Sequence, residues 1–158
     1  MELSYRIREA LHSDFNQLNE LIVSLGYPID ETQLQHRKII FDSIILNKFQ
    51  AIFVLESLID YEVKAMISYS VQPQLRLSGF KMEIDELVVS PHSRGMGMGA
   101  LLINFIMPIA KELGVKKIVV SCNRERESYK RKFYLRHGFV EKNSAFYQMD
   151  IKKDCFIK

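Results

Sequence analysis

Three glycines at alternate positions, set between an apolar strand and an amphipathic helix, constrain this chain more than any other feature. The stretch runs Val88-Val89-Ser90-Pro91-His92-Ser93-Arg94-Gly95-Met96-Gly97-Met98-Gly99-Ala100-Leu101-Leu102. It reads as a strand that stops at a proline, a turn, and a helix opening on the glycines. Glycine there lets the backbone come close to a ligand. The N–H groups at the helix start then point at anionic oxygens, aided by the helix dipole. A diphosphate suits that cradle, and Arg94 adds a fixed positive charge beside it. Gly95, Gly97 and Ala100 also satisfy the dinucleotide pattern G-x-G-x-x-A. That pattern calls for an acid at the end of the next strand to hold a ribose, and the next strand ends in Ser121-Cys122-Asn123. A P-loop calls for Gly-Lys-Ser/Thr, which does not follow Gly99. A tight turn without a ligand is the plain structural alternative, but a turn rarely needs three glycines after an arginine.

The flanking sequence fits one α/β domain over residues 1–158. Tyr5–Leu11 alternates as a first strand. Ser13 or Asp14 can cap a helix that presents Phe15, Leu18, Leu21, Ile22 and Leu25 on one face and ends at Gly26, with Tyr27-Pro28 preventing a restart. Asp30 can cap a second helix carrying Leu34, Ile40, Phe41, Ile44 and Ile45. Gln50–Glu56 and Glu62–Val71 read as a hairpin joined by Leu58–Tyr61, Gln72–Gly79 as a loop, and Lys81–Val89 as a further strand. A long helix from Gly97 to Gly114 follows, with Pro108 inside it removing the bond to Asn104 and predicting a kink. Then come a buried-type strand, Val115–Cys122, a charged helix, Arg126–His137, and two short strands, Phe139–Glu141 and Ala145–Ile151. The order predicts helices packed on a mixed, largely antiparallel sheet.

Composition narrows the function classes. Hydrophobic residues make up 47%, charged residues 26%, and the net charge is +3, a soluble globular balance well short of a dedicated nucleic-acid binder. The small basic excess suits an anionic cofactor. No apolar run approaches bilayer-spanning length, and Met1–Arg6 has no apolar signal region, so a cytoplasmic protein without membrane attachment is expected. Cys122 and Cys155 lie far apart and are expected as free thiols. His12, His36, His92 and His137 have no partner spacing for a metal or a triad, so no metal site is expected.

Arg94-Gly95-Met96-Gly97-Met98-Gly99 resembles the R/Q-x-x-G-x-G/A motif of the GNAT N-acetyltransferases. Glu86–Pro91 looks like that family's fourth strand, and Phe133-Tyr134-Leu135-Arg136-His137-Gly138-Phe139 matches its FY-x-x-x-GF signature. The opening strand and the helix ending in Leu25-Gly26-Tyr27-Pro28 are similar too, so the likeness covers nearly the whole chain. The resemblance implies a sheet of six to seven strands flanked by about four helices, with the fourth and fifth strands splayed to admit a thioester. It implies acetyl-CoA as co-substrate. Leu87, Val88 and Val89 would pair through their backbone with pantetheine, and Arg94, Gly95, Met96, Gly97, Met98, Gly99 and Ala100 would hold the pyrophosphate.

Direct acetyl transfer needs an unprotonated amine and a proton for the leaving thiolate. The fourth strand carries Glu83, Asp85 and Glu86. Strict alternation places Glu83 and Asp85 with Leu87 and Val89, and Glu86 opposite, unless a bulge reverses the order. Glu83, where several family members carry their base, is the first choice and Glu86 the second; each could equally be a solvated strand residue. The resemblance places Tyr134 beside the cofactor sulfur, and a phenol with a pKa of about 10 suits protonation of a thiolate; its other reading is an aromatic core residue. Asn123 can bind pantetheine or simply make a turn. Glu127 and Lys130 stand where many members carry Asn and Ala. The basic cluster around Lys130 and Arg131 is either a solvated face or an attraction for the cofactor's 3′-phosphate.

The reading favoured by these residues is transfer of acetyl to the primary amine of a small molecule or peptide through a ternary complex. A non-catalytic acetyl-CoA sensor and a nucleic-acid-associated module are the alternatives. The loops 24–36 and 72–80 are expected to set the acceptor, with Tyr27, Tyr69 and Phe80 either lining its pocket or packing in the core. A homodimer is expected through the terminal strands.

Overall fold

Four successive alternating segments pair as an antiparallel sheet, and a fifth strand joins it in parallel. The computed structural model describes residues 4–151. It divides into two units, Met1–Cys122 and Asn123–Lys158. The first holds β1 (Tyr5–Glu9), α1 (Phe15–Ser24), α2 (Glu31–Ile45), β2 (Gln50–Ser57), β3 (Val63–Gln74), β4 (Gly79–Val89), α3 (Met98–Glu112) and β5 (Val115–Val120). The sheet order is β1-β2-β3-β4-β5. Among the described residues no helix is long and apolar enough to cross a membrane.

The pleat sends alternate side chains to opposite layers. On one side lie Phe53, Ile67 and Tyr69, with Phe53 stacked on Tyr69 and meeting Phe105 of α3 edge-on at 5.0 Å between ring centres. Tyr69 is therefore a core residue. Met98, Leu102, Ile103, Ile106 and Ala110 are the buried stripe of α3, at helical spacing. On the other side Ile52, Val54, Met66 and Val88 pack with Phe15, Leu18 and Leu21 of α1 and Phe41 of α2. Each of these large apolar side chains contributes about 1.5–3 kcal/mol on burial. Helix α2 starts where expected, with the Asp30 carboxylate accepting from the Gln33 amide at 2.8 Å and Gln33 reaching back to the Asp30 amide. Helix α3 is continuous through Pro108. Asn104 and Pro108 both lie on its exposed face, where water can satisfy the carbonyl that the proline leaves without a donor.

Several sequence expectations are corrected. The loop expected at 72–79 is shorter, because β3 runs to Gln74 and β4 begins at Gly79 around a single turn, Leu75–Leu77. Strand β5 is half-exposed rather than buried, with Lys116 and Lys117 open to solvent. The sheet has five strands among the described residues, not six to seven. Residues 139–141 and 145–151 carry no ladder there, and Phe146, Tyr147 and Met149 are exposed. Alternation fixes which side chains share a face, but a strand also needs an edge to pair with, and sequence does not supply that. The charged helix expected over 126–137 is two short ones, α4 (Glu127–Lys130) and α5 (Phe133–Arg136), parted by Lys132 in the left-handed region at φ 56°. Cys122 is half-buried and unbridged; Cys155 lies outside the described residues.

A buried ionic knot ties β1 to β2 and to the start of α1. Asp14 makes no capping bond to α1. Its carboxylate accepts from the Leu11 amide at 2.7 Å and from both terminal nitrogens of Arg8 at 2.7 and 2.9 Å. Arg8 also reaches Glu56 at 2.7 Å, and Arg6 holds the other Glu56 oxygen. Burial opposes the Asp14 charge, but the Arg8 bonds and the Leu11 amide outweigh it and hold the carboxyl below its ordinary range. Arg8 is the main cause holding Glu56 low, against its own burial. A carboxylate with a depressed folded-state pKa stabilises above the unfolded value of about 4, and the gain is lost as pH falls through the folded value. Glu56→Gln is expected to lower the unfolding free energy by about 1–3 kcal/mol at pH 7, since it removes the carboxylate partner of Arg6 and one of the two carboxylate partners of Arg8. Urea titrations should show the gap to the wild type closing below about pH 4; a gap that stays constant with pH would contradict the ionic assignment.

Candidate active site

The loop after β4 is shaped by two left-handed glycines. Gly95 and Gly97 both have φ 80°, and Gly97 is the N-cap of α3. A Cβ built at either position meets no heavy atom within 4 Å. The need for glycine is therefore conformational, and the space in front of the loop is open. The first bond within α3 runs from the Leu101 amide to the Gly97 carbonyl at 3.1 Å. The amides of Met98, Gly99 and Ala100 thus precede any helical acceptor. Arg94 is exposed and donates from Nε to the Val89 carbonyl at 3.3 Å, tying the loop to the end of β4. Positive ends of peptide dipoles, an arginine and open space together suit an anion.

Strand β4 leads into that loop by leaving one neighbour. Its ladder to β5 covers Phe80↔Val115 to Ile84↔Val120 and stops, while β4 continues to Val89 on the β3 side only. Leu87, Val88 and Val89 therefore have no β5 partner, in keeping with the parting of the fourth and fifth strands that the family resemblance implied.

At the same point β4 carries a bulge. Ser68 pairs with Glu86 and Tyr69 with Ile84, so Asp85 is an extra residue. The slip is the bulge that the sequence left open, and it overrides strict alternation. Met82, Ile84, Leu87 and Val89 all share the α3 side, while Glu83 and Glu86 lie together on the opposite side with Ser70 and Ser68. Lys81 Nζ sits 2.8 Å from a Glu83 oxygen. The Ser68 hydroxyl, buried, donates to the Glu86 carboxylate and accepts from the Glu86 amide at 3.1 Å. Ser70 Oγ donates to Asp85 Oδ1 at 3.3 Å. Asp85 reaches solvent, yet the chain around it displaces much of its water. That desolvation, followed by the Glu86 charge, pushes its carboxyl up to about 6, with Glu83 adding to the rise and Ser70 and Lys81 opposing it. Sequence reasoning named Glu83 and Glu86 but passed over Asp85 and missed Ser68, Ser70 and Lys81. The one available signal was Ser68-Tyr69-Ser70, two small hydroxyls two apart on a strand.

The remaining candidates lie in the second unit. Tyr134, on α5, is half-buried and packs edge-on against Phe133 at 5.1 Å and Phe139 at 5.5 Å. Its carbonyl accepts from the His137 and Phe139 amides, and Gly138 turns the chain at φ 84°. The FY-x-x-x-GF signature is thus a self-packed aromatic turn. The Asn123 side chain accepts from the Glu125 amide at 2.9 Å. Lys130 lies 3.7 Å from Glu127, and Arg131 donates to the Glu127 carbonyl at 3.4 Å. Among the described residues, no three His, Cys, Asp or Glu side chains group to hold a metal ion.

Residues 9–139 match the Acetyltransferase (GNAT) family, and the chain belongs to that family. It is 35% identical over 68 residues to the rice (Oryza sativa subsp. japonica) "probable glucosamine 6-phosphate N-acetyltransferase 2", covering 43% of this chain and 39% of that protein. It is 35% identical over 85 residues to the aminoalkylphosphonate N-acetyltransferase of Salmonella typhimurium, covering 54% of each. The matches thus span between about two fifths and about half of these relatives. The fold is shared with glucosamine-6-phosphate N-acetyltransferase from Arabidopsis thaliana, with a TM-score of 0.76 over 96% of this chain and 100% of that one at 24% identity.

The loop geometry yields a stability test. Gly97→Ala should cost about 1–2 kcal/mol, the left-handed penalty of an L-residue, although its Cβ touches nothing. Gly97→Asn should recover part of the loss, because Asn tolerates that region. Equal stability of Gly97→Ala and wild type in urea unfolding would show that the loop relaxes to another conformation.

Proposed function

We propose that this chain is one acetyltransferase domain that moves an acetyl group from acetyl-CoA to the primary amine of a small molecule or peptide, by direct attack within a ternary complex. The observation that carries the reading is continuity: the unladdered end of β4 runs directly into the left-handed glycines and open amides at the start of α3. The β5 side of Leu87, Val88 and Val89, which carries no ladder, faces the pantetheine arm in this reading. Residues 94–100 offer amides and the Arg94 charge to the pyrophosphate. The open space at Gly95 and Gly97 fits a bulky anion there. The thioester supplies an activated acyl group; the chain supplies position, charge and proton transfer.

The base that accepts a proton from the ammonium is drawn from the carboxylates of β4, where Glu83 and Glu86, the two expected from sequence, stand on one side of the strand with their lysine and hydroxyl partners. Tyr134 is the proposed donor to the leaving sulfur. Two of the relatives are named for small amines that carry a phosphate or phosphonate, which favours a small acceptor. The homodimer expected from sequence was to form through terminal strands, which the described residues do not show; a second copy covering the exposed Phe146, Tyr147 and Met149 is the form of it proposed here.

Acetyl-CoA should raise the melting temperature, because a ligand bound by the native state alone stabilises it, and NADH should not. Gly97→Val should abolish that shift while the protein stays folded. Tyr134→Phe should cut turnover about a hundredfold with little change in acetyl-CoA affinity. Near-normal turnover of this variant would remove Tyr134 from the mechanism, and a shift with NADH alone would overturn the acetyl-CoA reading.

A further inference from the structure

The three carboxylates of β4 are not equivalent, and their partners separate them. Glu83 is paired with Lys81 at 2.8 Å, so its charge is already compensated. Glu86 is held by the buried Ser68 hydroxyl, and its backbone amide is bound to the same oxygen, so its carboxylate is fixed against β3. Asp85 has no ion pair among the described residues; its partner is the Ser70 hydroxyl at 3.3 Å. Its backbone is also unusual. It is the bulged residue on the β3 side and the first residue of β4 beyond the β5 ladder on the other. It is exposed, so an acceptor can reach it.

Resting on the acetyl-transfer reading above, we propose that Asp85, rather than Glu83 or Glu86, is the base that takes the proton from the incoming ammonium. One ammonium N–H bond breaks, its electron pair stays on nitrogen, and the proton passes to the Asp85 carboxylate. The nitrogen pair forms the new C–N bond to the acyl carbon. The C–S bond breaks with its pair on sulfur, which takes up a proton as the nitrogen loses its second one. Protonated Asp85 returns its proton to solvent, so R–NH3+ and acetyl-CoA give the acetamide, CoA and H+.

The charged groups acting on Asp85 are Glu86, Glu83 and Lys81 of its own strand. Across the β3 ladder stand Ser68 and Ser70, and the last β5 partner is the apolar Val120, opposite Ile84. Desolvation first, then two negative neighbours against one positive one, push the carboxyl up to about 6. A base in that range is ionised at neutral pH and still strong enough to accept a proton.

The test measures kcat/KM against pH for acetyl transfer to glucosamine 6-phosphate, an aminoalkylphosphonate and spermidine, with carbon-13 NMR titration of the aspartate carboxyls alongside. The wild-type rate should rise with pH through an inflection near 6, and one carboxyl should titrate at that pH. Asp85→Asn should lose both and cut kcat/KM about a hundredfold, keep the thermal shift with acetyl-CoA, and be partly rescued by Asp85→Glu. Glu86→Gln should move both midpoints to lower pH, since it removes the negative charge that raises them. The proposal is overturned if Asp85→Asn keeps the inflection, or if Glu86→Gln abolishes it. A wild type that gains no stability from acetyl-CoA would instead bring down the acetyl-transfer reading on which the proposal rests.

Discussion

Strand β4 has to satisfy two ladders at its start and only one at its end, and the layout of the first unit depends on how it makes that change. Up to Ile84 it is a central strand, with β3 on one side and β5 on the other. The bulge at Asp85 falls where the β5 ladder ends. A bulge adds twist and bends its strand, and here it coincides with the parting of β4 from β5. Because an extra residue reverses the alternation, the same bulge keeps Leu87 and Val89 on the α3 side of the sheet. Without it, the carboxylate side and the apolar side would exchange beyond residue 85, and Val88 could not join the core formed with α1 and α2.

Charge is segregated by this arrangement. The loop from Arg94 to Gly97 and the first amides of α3 present positive potential, while Glu83 and Glu86 sit on the opposite side of the sheet from α3, with Asp85 bonded to Ser70 of that side, and present negative potential. An anion and a cation are each offered an attractive surface and kept from competing for the other's. The buried Arg8–Asp14–Glu56 knot uses the same kind of groups for a different purpose. Its members are paired with one another and nearly closed to water, so they fix β1, β2 and the entry to α1 and have no charge left for a ligand.

The sequence was informative wherever local chemistry decides. The Asp30 cap and the glycine loop were legible, because capping and left-handed backbone are properties of a few neighbouring residues. The splay was expected through family likeness. The face of Glu86 was not legible. It depends on whether β4 has one residue more than β3 across the ladder, a property of two strands that neither carries alone. The break at Lys132 was hidden for another reason: lysine is a good helix former, so nothing in its type announces a left-handed residue. The environment of Asp85 also needed three dimensions, since Ser70 lies fifteen positions away in the chain.

Regular secondary structure consumes the backbone groups that could otherwise hold a ligand. Each amide inside a ladder or helix already has an acceptor, so a site that uses main chain must lie where regularity lapses. Between residues 85 and 100 the chain departs from regularity in sequence: the bulge, the unladdered β5 side of β4, the proline turn, the left-handed glycines and the first turn of α3. Such a run would be costly if buried, since unpaired polar backbone away from water is strongly destabilising. The chain keeps it affordable by leaving residues 94–97 exposed, so that water can satisfy these groups until a ligand replaces it. The side chains below are packed tightly: Met98, Leu102 and Ile106 are almost wholly buried immediately after the loop. A rigid floor under an open backbone lets a small set of amides keep fixed directions, which orients an anion more firmly than a flexible lysine could.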